Sequence, residues 1–396
     1  MLVSCGERRG PILNANWSYP TQVRFGAGRI AELPESCTSA GIARPLLVTD
    51  PMLAAMPMVE HAMTGLAAAG LPVAVFSAIK SNPIESDVAA GLAALRRGAH
   101  DGVIAFGGGS ALDVGKVIAF MAAQARPMWD FEDVGDQWRR ANVSGILPVV
   151  AVPTTAGTGS EVGRAGVITE LASRTKKVIF HPRMMPAVAI CDPELTIGLP
   201  PKLTAATGLD AFVHCLEAYC APGFHPLADG IAVEGMRLVK ENLLRAFSHG
   251  DDVVARGNMM AAAAMGATAF QKGLGGVHAI AHAVGALHDT HHGLANGVIV
   301  PYVVSYNRPA IAQKIARLAR WLDLAPEFDA FLDWLLGLRA ALGVPHRLAD
   351  LGVTTADSAR IAAIAAVDPC AAGNPRPFDA NVAGSVFEAA VVGTLG

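Results

Sequence analysis

Five of the chain's twelve histidines, His278, His282, His288, His291 and His292, fall within residues 278–292. His278 and His282 are four apart, which on a helix puts both imidazoles on one face. The turn-rich residues that follow can bring the chain back so that His292 meets them. Upstream, residues 203–220 read LTAATGLDAFVHCLEAYC, and Asp210 and His214 repeat the interval of four. A carboxylate with several imidazoles is a donor set for a divalent metal that keeps an open position for a substrate oxygen. Either pair alone also describes a hydrogen-bonded surface pair or a solvated loop. Two such pairs in one chain favour a metal.

Positioning such a site takes helices, and the chain supplies them late. From about residue 196, alanine-rich helical segments follow one another to the C-terminus, with turn signals at Ala221-Pro-Gly, His249-Gly-Asp-Asp, Asn307-Arg-Pro and Val344-Pro. The earlier part is different. Short apolar runs at residues 45–50, 71–79, 103–106 and 146–152 alternate with helical stretches, the pattern of a parallel sheet buried on both faces. We therefore expect a Rossmann-like, doubly wound α/β domain over residues 1–193 and an all-helical domain over 194–396, with the site between them.

Two loops at expected strand ends carry ligand chemistry. GGGSALDVGK at 107–116 opens a helix with three glycines, so backbone N–H groups can approach a phosphate. It is not the usual dinucleotide fingerprint, since Leu112 breaks the glycine spacing and no acid follows at the expected distance. Asp50 instead precedes it, at the tip of an earlier strand. The alternative is a plain strand-to-helix turn with Ser110 as cap and Asp113 in the first turn. PTTAGTGSE at 153–161 is rich in hydroxyls and suits phosphate or amide oxygens. Lys176 and Lys177 are adjacent, and spacing selects neither.

Composition bounds the partners. With 396 residues, two domains are the expected minimum. A 52% hydrophobic and 16% charged composition excludes disorder, and 31 basic against 34 acidic residues leave no basic face for nucleic acid or an anionic membrane. No apolar run is long enough to span a bilayer, and the first sixteen residues read as lying outside the fold without a secretion signal. Six cysteines lack paired zinc-type spacing, which fits reduced thiols in a cytoplasm.

In order along the chain, FGAGR, VTD at 48–50, SNP at 81–83, GGGSALDVGK, PTTAGTGSEV, GLDAFVHCLEAY, VHAIAHAVG and HHGLAN resemble the iron-containing (group III) alcohol dehydrogenase family over nearly the whole length. The resemblance implies a metal-dependent oxidoreductase that moves a hydride between a nicotinamide cofactor and an alcohol/aldehyde or ketone pair. It implies Asp210, His214, His278 and His292 as metal ligands, with iron(II) the favoured ion and zinc also accepted by the donors. It places His282 beside the ion without ligating it, a choice that spacing alone leaves open, and we expect it to relay the hydroxyl proton. Asn82, Gly108, Gly109, Ser110, Asp113, Thr154, Thr155, Thr158 and Lys176 fall on cofactor-lining positions, and Asp50 on the acid associated with NAD rather than NADP. A homodimer acting on a small alcohol or aldehyde is implied as well.

The departures bear on the substrate. His291 stands where many members have proline, His288 where an aromatic is frequent, and Gly163 where a hydroxyl is common. Ala281 precedes His282, so the histidine–cysteine pattern of maleylacetate reductases is absent. A lyase or synthase similar to dehydroquinate synthase shares the architecture, but its polyanionic substrate calls for a basic cluster that the helical half lacks. A non-catalytic binding protein is the remaining alternative.

Overall fold

The computed structural model describes residues 21–395. Residues 1–20 and Gly396 lie outside it, and with them the expectations for the first sixteen residues and for Cys5.

Six strands form one parallel sheet in the order β1-β8-β5-β4-β2-β3: β1 (Gln22–Phe25), β2 (Pro45–Val48), β3 (Ala74–Phe76), β4 (Gly102–Gly107), β5 (Val149–Pro153) and β8 (Val188–Cys191). An antiparallel hairpin, β6 (Ala165–Glu170) and β7 (Thr175–Phe180), stands apart from it. The helices between are α1 (Leu33–Ser39), α2 (Pro51–Ala54), α3 (Pro57–Ala68), α4 (Glu85–Arg97) and α5 (Gly109–Met121). Alternation along the strands builds two cores. Leu46, Val48, Val103, Ala105, Val149 and Ala151 meet α4 and α5 on one face, while Leu47, Ile104, Phe106, Val150 and Val152 meet α1 and α3 on the other. The same period separates the lysine pair: Lys177 pairs with Glu132 and Glu170 at 3.2 Å each, whereas Lys176 turns inward.

The order of strands aligns the carboxyl ends of β2, β4 and β5, so Asp50, the loop after β4 and the loop after β5 lie side by side. These loops touch. A Cβ at Gly109 would lie 2.5 Å from Thr158 Cγ2, so glycine permits the approach. The N-cap of α5 is Gly108 rather than Ser110, whose hydroxyl instead donates to the Ser81 carbonyl at 2.5 Å. The reading of Ser110 as a cap is corrected accordingly: the helix starts two residues earlier, and the serine ties the 81–82 loop to it.

After a 3-10 turn at Pro193–Thr196 the rest is helical: α6 (Pro201–Cys220), α7 (Pro226–Ser248), α8 (Val253–Ala269), α9 (Gly276–His288), α10 (His292–Trp321), α11 (Phe328–Ala341), α12 (Ser358–Val367) and α13 (Ala380–Val392). Their shared core includes Leu209, Phe212, Met236, Leu243, Ile280, Val284, Ile299 and Phe387, and reaches Ala156, Ala189 and Cys191 of the sheet region. The turn expected at Asn307-Arg-Pro is not there. α10 runs through it, with Pro301 and Pro309 inside. Each internal proline costs about 3 kcal/mol, yet Ile311, Ile315 and Leu318 follow Asn307 on one buried face, and each large aliphatic side chain contributes roughly 1.5–3 kcal/mol. Packing of that stripe outweighs the local break. No helix among the described residues is long and apolar enough to cross a membrane.

Candidate metal centre and cofactor cleft

Three helices converge on one carboxylate. α6 presents Asp210, His214 and Glu217 on one face at intervals of four and three, α9 presents His278 and His282, and α10 begins at His292. The link between α9 and α10 is only residues 289–291. Asp289 adopts the left-handed conformation (φ 52°), and His291 caps α10 by accepting the Leu294 N–H at 3.4 Å, so the chain reverses and returns His292 to α6. Asp210 Oδ1 then lies 3.9 Å from His214 Nε2, 3.8 Å from His278 Nε2 and 3.6 Å from His292 Nε2. Asn296, one turn into α10, donates to the same oxygen at 2.7 Å.

Ligand bonds of about 2.0–2.2 Å would separate neighbouring donors by roughly 3–3.5 Å; Asp210, His214 and His278 already offer donor atoms within 4.8 Å of one another, and His292, 3.6 Å from Asp210 but outside that trio, must move in farther to join them. The electrostatics agree with that fit. Burial opposes charge on Asp210, but the imidazoles of His214, His292 and His278 outweigh it and hold the carboxyl below its usual range. Burial lowers His214 to about 4 and His292 well below its ordinary value, leaving both neutral and able to donate a lone pair. At His278, burial is outweighed by hydrogen bonds to Asp210 and Glu217, which raise it to about 9. A buried cluster that retains a proton this strongly is one in which positive charge belongs. The donor set fits a divalent ion.

Glu217 was not singled out from the sequence. Its carboxylate accepts from His278 Nδ1 at 2.7 Å, and from the N–H groups of Gly275 (3.0 Å), Val277 (2.8 Å) and His278 (3.4 Å). It therefore caps α9 and aims His278 Nε2 at Asp210. The available signal was its place one helical turn beyond His214, on the face of Asp210.

His282 lies beside this cluster. Its ring stacks on His292, with centroids 5.3 Å apart, and its Nδ1 meets Asp368 Oδ2 at 2.9 Å. The expectations for the other histidines separate here: His288 Nε2 approaches Asp357 at 3.3 Å, while His291 is spent as a cap.

The cofactor-side residues are brought to the same cleft in different ways. Asp50 caps α2, its Oδ1 accepting from the N–H groups of Met52 and Leu53 at 2.9 Å each, and its Oδ2 faces Gly107. Asn82 reaches across the cleft and donates to Asp289 at 2.5 Å. Asp113 is partly exposed and holds the loop after β5. Its oxygens accept from Ser160 Oγ at 2.5 Å and Val167 N–H at 3.0 Å, and Lys116 anchors the same loop through the carbonyls of Ser160, Gly163 and Ala165. Thr154 is buried at the end of β5 and donates its N–H to Gly107, Thr155 sits against Gly108, and Thr158 Oγ1 accepts from Ser160 N–H at 3.3 Å. Lys176 extends from β7 to Gly285 of α9. Burial lowers its affinity for a proton, and Asp113, Asp210, Asp289 and Asp368 pull the other way. It is the cation that lies between the loops and the metal cluster.

The family model described as Iron-containing alcohol dehydrogenase matches residues 20–193, and that of the Fe-containing alcohol dehydrogenase family C-terminal region matches 204–391. A 4-hydroxybutyrate dehydrogenase of Cupriavidus necator is 39% identical over 91% of this chain and 96% of its own. A crystal structure of 1,3-propanediol oxidoreductase superposes with a TM-score of 0.89 at 35% identity, covering 95% of this chain and 100% of that one. Sulfoacetaldehyde reductase from Bifidobacterium kashiwanohense, solved in complex with NAD+, superposes with a TM-score of 0.85 at 29% identity, over 95% and 98%.

Proposed function

The chain belongs to the iron-containing alcohol dehydrogenase family and is a metal-dependent oxidoreductase using NAD(H) and a divalent metal, and on that premise we propose that it oxidises a short primary alcohol, or reduces its aldehyde, at the Asp210 cluster. The approach of three Nε2 atoms to Asp210 Oδ1, within 3.6–3.9 Å, is the observation that carries this reading. Asp210, His214, His278 and His292 would hold the ion, with iron(II) preferred and zinc accepted by the same donors. A divalent ion there supplies a Lewis acid that acidifies a hydroxyl or polarises a carbonyl.

The protein's own groups do the rest. Of the described residues, those up to 193 form the cofactor-binding part and those from 194 onward the metal-binding part. The loops carrying Gly108, Gly109, Ser110, Thr154, Thr155 and Thr158 supply N–H and hydroxyl groups for the cofactor's phosphates, and Lys176 places positive charge beside them. Asp50, its Oδ1 fixed by two amides, turns Oδ2 toward the ribose hydroxyls, where a carboxylate repels a 2′-phosphate and favours NAD. Asn82 and Asp113 hold these loops in place. With Nδ1 donating to Asp368, His282 keeps Nε2 as an acceptor for the hydroxyl proton. Three of the relatives act, by their names, on short chains with a second polar group at the far end, while others are named for methanol or butanol. His288 and His291 flank the metal-side loop, and the ring nitrogens that Asp357 and the α10 cap leave open suit such a polar group. We also infer a cytoplasmic homodimer.

The test is purification without chelator, elemental analysis of the bound metal, and NADH formation against short alcohols, diols and hydroxy acids. Activity lost on chelation and restored by iron or zinc supports the reading. Full metal occupancy with no NAD reduction from any of these substrates overturns it.

A further inference from the structure

A second group of metal donors lies at the edge of the first. One donor atom each from His282, Asp368 and Cys370 falls within 4.8 Å of the other two. Asp368 organises them: its Oδ2 takes the His282 Nδ1 contact at 2.9 Å, and its Oδ1 accepts the Cys370 N–H at 2.8 Å, which holds the Cys370 side chain beside the carboxylate. A soft divalent ion can take one donor atom from each of the three. Burial, with the charges of Asp368 and Glu217, keeps the Cys370 thiol protonated well above its ordinary range, so it is inert by itself. A metal changes this, because a coordinated thiol gives up its proton. Asp368 also lines a surface cavity of about 580 Å³ together with Pro369, Asn374, Arg376 and Asp379, which brings solvent to the carboxylate.

We propose that His282, Asp368 and Cys370 form an inhibitory site for zinc or a comparably soft divalent cation, separate from the Asp210 cluster. Imidazole, carboxylate and thiolate are three of the ligand types zinc prefers, and a tetrahedral site needs its donors about 3.5 Å apart, a closure of roughly an ångström from the present arrangement. Binding releases the thiol proton to solvent, and coordination at Nδ1 shifts the His282 hydrogen to Nε2, which can then no longer take a proton from substrate. This consequence rests on the role of His282 given above; the binding itself does not.

The Asp210 donors include no sulfur, so sulfur marks the second site. Cobalt(II) titrated into the holoenzyme, already loaded with one equivalent of metal, should produce a thiolate-to-cobalt charge-transfer band as a second equivalent binds. Cys370→Ser and Cys370→Ala should both lack that band. Zinc should inhibit alcohol oxidation in the parent at concentrations at least tenfold below those needed in either variant, each normalised to its own uninhibited rate. A missing band at the second equivalent, or a band that persists in both variants, overturns the site. If no alcohol is oxidised, the functional reading fails while the band still decides the ion site.

Discussion

The side-chain amide of Asn82 donates to the carboxylate of Asp289 at 2.5 Å, joining residues 207 positions apart. Asn82 belongs to the loop that Ser110 ties to α5, and Asp289 to the link that returns His292 to the metal cluster. One hydrogen bond therefore spans the cleft from the cofactor side to the metal side. Its exposed setting limits its worth to about 0.5–1.5 kcal/mol. In a double-mutant cycle of Asn82→Ala and Asp289→Ala, we expect a coupling energy of that size in urea unfolding and a several-fold rise in KM for NAD in each single variant. Strict additivity would show that the contact does not couple the two sides.

Glu217→Gln should weaken metal binding about 10- to 100-fold, because the replacement cannot accept all four N–H groups that now converge on the carboxylate. Competition against a chelator of known affinity measures this. A loss of thermal stability alone, with metal affinity unchanged, would reduce Glu217 to a helix cap.

Both pairs spaced by four could be read from the sequence because each lies within a single helix, where that interval defines a face. Glu217 shares that face with Asp210 but reveals its role only when α9 lies against it, and its partner His278 is 61 positions away. Asp368 is hidden for the same reason, 86 positions from His282. The β–α alternation and the glycine loops are local patterns, so the doubly wound sheet was readable from them. The turn foreseen at Asn307-Arg-Pro failed because a proline is a local signal and the buried stripe through Ile311 and Ile315 is not. Asp113 was expected at the cofactor; its bonds to Ser160 and Val167, partners 47 and 54 positions away, leave no local signal.

His282→Ala removes the proposed proton acceptor and its stacking on His292, but none of the four donors around Asp210. Turnover should fall by about 10²–10⁴, the usual contribution of a positioned acid or base, while metal content per chain stays near that of the parent. Parallel loss of metal and activity would make His282 a ligand or a structural support.

Glu161 links the cofactor loop to pH. It is 2% exposed beside Lys116, and burial raises its carboxyl from 4.5 to about 7, with its own backbone N–H and Lys116 acting in the opposite direction. Because the folded value exceeds the unfolded one, the native state binds more protons between these limits. The stabilisation from the neutral carboxyl is thus fully present below about pH 4.5 and is lost as pH rises through about 7. The span of the shift sets an upper bound of about 3 kcal/mol on the change. Glu161→Gln keeps the shape but cannot ionise, so its unfolding free energy should lack this decline and exceed that of the parent at pH 8. Urea melts at half-unit pH steps from 4.5 to 8 provide the comparison. Parallel curves for the two proteins would mean that Glu161 ionises in the folded loop at its ordinary value and that Lys116 fully offsets its burial.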